Sequence, residues 1–371
     1  YLKPKSKPKK GGKTMKNMKK ILSLVLVLAM VFALTACGGG GDAEGGDGEG
    51  GDNYRVAFIA RASADTFAAW LTREMQAAAK EYDDITLEYF SGEGDNNQVN
   101  SLLEDCVTKQ YDLVIVQVND NAASAPYVKQ VVDAGIPVIT TNPAVHQGDL
   151  DGSDDDALLE GTGTVDADPI AQAQPSAEAA VEEIPENANV VVLMGPSNNF
   201  HSDGRREGWQ KYFFDERPDV KILYEDYANW NSDEALAFME TWVQGGTHID
   251  AIISMNDNMA AGAIEAIRNN SEYFNDDGTP NFLAYGVDGN AQGVLLVKEG
   301  LLTRTTLQDA SLLAQQCMEN GHKVLTGEME VTDVEYYVDA PVINSETVDE
   351  YVQLYIDNGE ISEDGTGLVE Q

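Results

Sequence analysis

The sequence predicts an α/β protein built as two doubly wound parallel-sheet lobes, and three observations carry that expectation. From Tyr54 onward, short β-branched runs alternate with longer helical patterns, the signature of βαβ units. The runs are too many for one small sheet, and a break between 146 and 188 divides them into two groups. The 371 residues suffice for about two hydrophobic cores.

The first 53 residues belong to neither lobe. Residues 1–20 carry nine lysines and no acid, and Ile21 to Ala36 is an apolar run of sixteen, short for a membrane span but right for the core of a signal peptide. The run ends in Leu34-Thr35-Ala36-Cys37-Gly38, similar to a bacterial lipobox, which implies cleavage before Cys37, diacylglycerol on its thiol and an anchored, extracytoplasmic chain. Translation is expected to begin at Met15 or Met18. Residues 38–52, GGGGDAEGGDGEGGD, can bury nothing and are expected to form a flexible acidic tether. Removing residues 1–37 takes nine of the 24 basic residues and none of the 63 acidic ones. So acidic a surface repels nucleic acid and anionic lipid, so neither is expected as a partner.

Strands are expected at 54–60, 85–90, 112–118, 136–141, 189–194, 220–225, 249–255, 282–287 and 302–307, with helices between most of them. The break carries "GDLDGSDDDALLEGTGTVDADP", in which Asp149, Asp151, Ser153, Asp155 and Glu160 have spacings reminiscent of a calcium loop. Position six is Asp154 where a glycine should allow the turn, so a solvated acidic loop is favoured and no metal is expected. Cys106 and Cys317 fall in helical stretches and read as buried free thiols.

Open parallel sheets bind ligands at the carboxyl ends of their strands. There the sequence places Arg61, Asp65 and Phe67, then Asn119, Asn142, "GPSNNFHSDGRR", "ANWNS" around Trp230, Asn256, Asp288 and Gln308. Carboxylates and amides bond neighbouring hydroxyls, and an aromatic face covers the C–H surface of a pyranose, so this inventory suits a sugar. No glycine-rich phosphate cradle stands at a strand-to-helix junction, and no nucleotide or other cofactor is expected. G-x-S-x-G and HExxH are absent, and the four histidines lack ligand spacing. Asp65 and Asp288 as the acid and base of a surface glycosidase form the enzymatic alternative.

These segments resemble the periplasmic sugar-binding proteins of type I fold, the solute receptors of ABC importers, over 54 to about 345. The likeness is carried by "RASADTFAAWLTREMQAAAKEY", "DLVIVQVNDNAA", "GIPVITTN", "AIISMNDNMAAGAIEAI", "YGVDG" and "LLTRTTLQD". "DYANWNSDEALAFMETWV" and "VITTN" are closer to the galactose/glucose-binding members than to the ribose-binding ones. The resemblance implies that Asp65, Asn142, Asn256, Asp288 and Gln308 bond hydroxyls while Phe67 and Trp230 sandwich a hexose ring. It implies two interleaved lobes joined by a three-stranded hinge, 54–168 plus 309–335 and 169–308 plus 336–371, closing on the ligand.

Pro143 stands where relatives often place a basic residue, so Arg61 is either a replacement hydroxyl donor or a lobe-closing salt bridge. His201, Asp203, Arg205 and Arg206 compete for the place of a family arginine, and the family's calcium loop is not evident in "IPENANVVVLMG". Plainer roles stand beside these: Asp65, Asn256 and Asp288 as helix caps, Asn142 as a turn residue, Trp230 as core, His201 as a surface loop histidine and Arg205 as a structural residue, with Asn119 the weaker candidate. Trp70, inside a helix, is expected in the core. The function expected is a monomeric, non-enzymatic receptor that delivers a monosaccharide to an ABC permease. A subunit presenting ligand to a kinase or chemoreceptor is the alternative. A repressor is disfavoured because no basic helix-turn-helix precedes Tyr54.

Overall fold

The computed structural model describes residues 53–369. The leader, Cys37 and the acidic tether lie outside the described residues. The chain runs β1 (Tyr54–Ala60), α1 (Thr66–Ala78), β2 (Ile85–Ser91), α2 (Asn96–Lys109), β3 (Leu113–Val116), α3 (Asn121–Asp133), β4 (Val138–Thr140), α4 (Gln147–Asp151) and β5 (Thr162–Asp166). It continues through α5 (Pro169–Glu183), β6 (Asn189–Met194), α6 (Phe200–Trp209), β7 (Lys221–Tyr227), α7 (Ser232–Val243), β8 (Ala251–Ser254) and α8 (Asp257–Ile267). It ends with β9 (Leu283–Tyr285), α9 (Ala291–Lys298), β10 (Arg304–Thr306), α10 (Ala310–Leu325), β11 (Glu335–Tyr337), β12 (Val342–Asn344) and α11 (Val348–Asp357).

Two six-stranded sheets form, ordered β11-β5-β4-β3-β1-β2 and β12-β10-β9-β8-β6-β7. All pairings are parallel except β10 with β12. In each sheet the order reverses beside the first strand, which opens a crevice at the carboxyl ends of β1 and β3 in one lobe and of β6 and β8 in the other. The chain passes between the sheets from β5 to α5, from β10 to α10 and from β11 to β12.

The central strands are covered on both faces by helices, so they read as continuous apolar runs. Val56 to Ala60 and Val190 to Leu193 are fully buried. Helix starts are set by Asp or Asn side chains that accept a backbone N–H two or three residues on: Asp65, Asp95, Asp120, Asp168, Asn199, Asn231, Asn256, Asn290 and Asp309. Capping therefore accounts for much of the Asp and Asn that follows the strands. Cys106 and Cys317 are buried free thiols, each pushed up to about 12 by burial.

All the strand runs expected from the sequence form strands, and three more appear. β5, Thr-Gly-Thr-Val-Asp, lies inside the segment read as a break, because its residues show no apolar pattern. It is nevertheless fully buried: the Thr162 and Thr164 hydroxyls donate to Leu159 O and Thr140 O, which removes the cost of burying them. β11 and β12 are three residues each, too short for periodicity to reveal.

Trp209 shows how the second lobe is filled: it packs edge-on against Phe213 and Tyr285, with centroids 5.6 and 5.2 Å away. Trp209→Ala is expected to cost about 3–5 kcal/mol in urea unfolding, the range for emptying a large aromatic site. A loss near the ±0.5 kcal/mol typical of surface sites would contradict this packing.

Candidate functional site

At the end of β1 the chain turns over Arg61, whose backbone N–H donates to Gln117 Oε1 (3.1 Å). Its guanidinium donates to Asp65 Oδ2 from Nε (2.9 Å) and pairs with the same oxygen through Nη2 (2.8 Å). Nη1 donates to Asn142 O and Oδ1 at 3.1 and 2.8 Å. Asp65 Oδ1 accepts Ala68 N–H as the cap of α1, and Asn142 Oδ1 also accepts from Gln117 Nε2. Arg61 thus occupies Asp65 Oδ2 and both oxygens of Asn142.

The second lobe gathers around Arg205, which α6 sends into the interior. The guanidinium is 2% exposed, and a buried charge is tolerated only when its donors are met. Nε donates to Gln172 Oε1 (3.0 Å), Nη1 to Met255 O (2.6 Å) and Nη2 to Gln308 Oε1 (2.5 Å), while Asp288 Oδ1 stands 3.8 Å from Nη1. Burial pulls Arg205 down to about 10, with the Asp288 carboxylate acting against it. Nη2 also lies 3.3 Å from His201 Nδ1, and arginine can only donate, so Nδ1 accepts and Nε2 carries the proton toward Asp166 Oδ1 at 2.8 Å. Burial holds His201 below the usual histidine range, consistent with that neutral tautomer.

The His201–Asp166 bond joins the lobes. So do Asn199 Nδ2 to Asn119 O (2.9 Å) and Asn121 N–H to Asn198 O (3.1 Å). Trp230, in the turn before α7, has both Arg61 and Arg205 beside its ring, at 5.7 and 5.6 Å from the centroid. A cavity of about 360 Å³ runs between the lobes beside Arg61, Asp65, Asn119 and Trp230.

Against this saturated frame, some buried polar atoms have no hydrogen-bond partner among the described residues, including Asp288 Oδ2, Gln308 Nε2 and Trp230 Nε1. Asp288 is 2% exposed and has φ 125°, a region that a side-chain-bearing residue rarely occupies. Burial pushes its carboxyl well above the usual range, with Arg205 opposing. Beneath it Asp257 accepts from Thr305 Oγ1 (2.7 Å) and Gly289 N–H (2.8 Å), and burial raises it to about 7.

The structure brings Arg61, Asp65, Asn142, His201, Arg205, Trp230, Asp288 and Gln308 into one buried zone, with Asn119 at its edge. Arg61 does two things at once, bracing Asp65 and Asn142 and touching Trp230 of the other lobe. Asn256 is buried and caps α8, whereas the cap of α9 is Asn290 and not Asp288. Phe67 is 1% exposed and packs edge-on to Trp70 at 5.9 Å, and Trp70 packs in turn on Tyr355. Asp203 is exposed and lines a second cavity of about 360 Å³ with Ala122, Gly148 and Asp149 of the first lobe, and Arg206 pairs with Glu225 at the surface, so of the four competitors His201 and Arg205 are the ones buried in this zone. Sequence reasoning passed over Gln117, Asp166, Gln172 and the structural use of Asp257. Asp166 ends β5 and was hidden with it, although strand-end position was the signal that found the others.

The model of a family described as a periplasmic binding protein domain matches residues 56–329. The xylitol-binding protein of Mycolicibacterium smegmatis is 26% identical over 331 residues, 89% of this chain and 87% of its own. The ribose import binding protein of Bacillus subtilis is 22% identical over 84% of this chain and 95% of its own. Among solved structures, an ABC transporter solute-binding protein from Bacillus halodurans with bound myo-inositol has a TM-score of 0.70 at 24% identity, over 81% of this chain and 97% of its own. One from Actinobacillus succinogenes with bound D-allose has a TM-score of 0.69 at 25% identity, over 80% and 100%.

Asp257 gives this site a pH signature. Between its ordinary value of 3.8 and about 7 the folded state holds a proton that the unfolded chain has lost, so stability falls as pH rises through that window. Asp257→Asn removes this term. Its stability relative to wild type, from urea unfolding, should therefore improve by up to about 1.4 kcal/mol per pH unit between about pH 5 and pH 7. Parallel pH profiles would show that Asp257 does not titrate there.

Proposed function

This chain belongs to the periplasmic binding protein family, and we propose that it is an extracytoplasmic receptor that captures one sugar or polyol between its lobes and delivers it to an ABC importer. The observation that carries the reading is Asp288 Oδ2, a buried carboxylate oxygen held at the strand-end crevice in a costly backbone conformation with no partner among the described residues. A buried carboxyl oxygen is tolerable when a polar partner meets it, and donor hydroxyls of a polyhydroxylated solute both meet it and favour its ionised form. The relatives are named as binding proteins, not as enzymes, and their names and bound molecules span xylitol, ribose, myo-inositol and D-allose. The finer reading is a neutral six-carbon ligand, a hexose such as galactose or glucose or a cyclitol of that size, held by a protein anchored through lipidated Cys37.

A thermal-shift screen of the protein against pentoses, hexoses, alditols and cyclitols tests this. At least one is expected to raise the melting temperature by several degrees, since a ligand at about 100 times its Kd adds about 2.7 kcal/mol. Asp288→Asn should abolish the shift. A screen without a responder, or conversion of a responder to product, would overturn the reading. Cys37→Ser is expected to move the protein from the membrane fraction to the soluble one, and continued membrane retention would remove the anchor.

A further inference from the structure

After β12 the chain runs from the second lobe onto the first. α11 belongs to the second lobe, where it packs against α9 and β12. Tyr355 anchors it there by donating its hydroxyl to Gly289 O (2.6 Å). Past α11 the chain folds back as a small hairpin: Glu360 N–H and Ile361 N–H donate to Tyr355 O (2.8 and 3.1 Å), Ser362 N–H to Gly367 O (2.8 Å) and Val369 N–H to Glu360 O (2.9 Å). Ile361 is buried, and Gly365 lies against Val352 and Ile356 of α11, so the hairpin is fixed to the helix it follows. From that base two side chains reach α1 of the first lobe. The Tyr355 ring meets Trp70 edge-on at 6.0 Å, and Glu360 Oε2 pairs with Arg73 Nη2 at 2.8 Å. A cavity of about 220 Å³ beside them is walled by Trp70 and Arg73 of α1, by Asn290 and Ala291 at the start of α9, and by Leu368 and Val369 of the hairpin. The whole segment lies outside the residues 56–329 that the family model matches.

We propose that the segment from Tyr355 to Val369 is a clasp between the lobes: carried by the second lobe, it grips α1 through Tyr355 and Glu360 and favours the arrangement in which the lobes touch. The ion pair is the releasable part. The Arg73 side chain is 41% exposed and that of Glu360 13%. Burial holds the Glu360 carboxyl above the usual range, with Arg73 opposing, so the guanidinium offsets only part of the cost of burying that carboxylate. Half-exposed pairs of this kind are weak, and a weak bond at a lobe boundary can break and re-form as the lobes move. The aromatic contact sets the register. Trp70 packs on Phe67 within the first lobe (5.9 Å), and Tyr355 holds the carbonyl of Gly289, next to Asp288, in the second. The clasp thus ties α1 of one lobe to the β9–α9 turn of the other, two elements that separate when the cleft opens. It acts on the lobes themselves and is independent of which molecule fills the cleft.

Amide hydrogen exchange on the full-length protein, read away from the clasp, tests this. Asn121 N–H, at the start of α3 in the first lobe, donates to Asn198 O of the second (3.1 Å). A first-turn amide has no partner inside its own helix, so protection at Asn121 reports contact between the lobes. Glu360→Arg sets two guanidiniums against each other at the α1 contact. It is expected to speed exchange at Asn121 about threefold or more, the scale of turning a weak ion pair into a repulsion. Arg73→Glu combined with Glu360→Arg restores the attraction and should return the rate to within about twofold of wild type. Faster exchange confined to the hairpin amides of Ile361 and Val369, with Asn121 unchanged, would overturn the clasp, because the segment would then only cover its own helix. An Asn121 amide unprotected in wild type, or a rate that stays raised in the reciprocal pair, would overturn it as well. Val192, in the middle of β6, is the reference: an equal acceleration there reports a loss of overall stability and counts against the proposal in the same way.

Discussion

A charged guanidinium with almost no access to water dictates how the second lobe and the hinge are arranged. Arg205 must have its donors met, because an unpaired buried charge costs several kcal/mol. Meeting them recruits α5 through Gln172, the end of β8 through Met255 O, the β10–α10 crossing through Gln308, and the other lobe through His201 and Asp166. The residues that hold the lobes in register are thus the same ones that orient the cleft. Gln172 Nε2 and Arg205 Nη2 both donate to Gln308 Oε1, which leaves the Gln308 amide nitrogen for something other than the protein.

The two halves of the cleft divide the work. On the first lobe Arg61 meets Asp65 and Asn142, so these groups serve each other and form a rigid wall. On the second lobe Asp288, Gln308 and Trp230 each keep an atom in reserve. Asp288 pays for its position in backbone strain, and Asp257 beneath it fixes the following residue by accepting Gly289 N–H. Gly286 and Gly293 make room for that buried carboxylate, since a Cβ at either would overlap it. A preorganised set of this kind would meet a small polar solute without having to order side chains at the moment of binding.

The fold was legible because parallel strands buried on both faces write themselves as apolar runs, and β1 and β6 match their expected bounds. β5 was not, because its burial depends on Thr hydroxyls bonding to particular carbonyls, a tertiary fact with no periodicity. In the site, strand-end position picked out Asp288 and Gln308 as candidates, but it could not separate candidate ligand contacts from helix caps. Asp65 and Asn256 are caps in the structure, whatever else they touch, whereas Asp288 leaves that role to Asn290. Asp or Asn after a strand satisfies either demand, and only the partner of each oxygen tells them apart. Arg205 and Arg206 are adjacent in sequence, yet helix geometry sends one inward and the other to Glu225 at the surface.

The unpartnered polar atoms of Asp288 and Gln308 are the groups proposed to meet the ligand. A crystal structure with the strongest thermal-shift responder bound tests this most directly. One neutral polyhydroxylated molecule is expected between the lobes with its oxygens about 2.7–3.2 Å from Asp288 Oδ2 and Gln308 Nε2. A ligand held outside the cleft, or held within it while those two atoms stay unbonded, would contradict this.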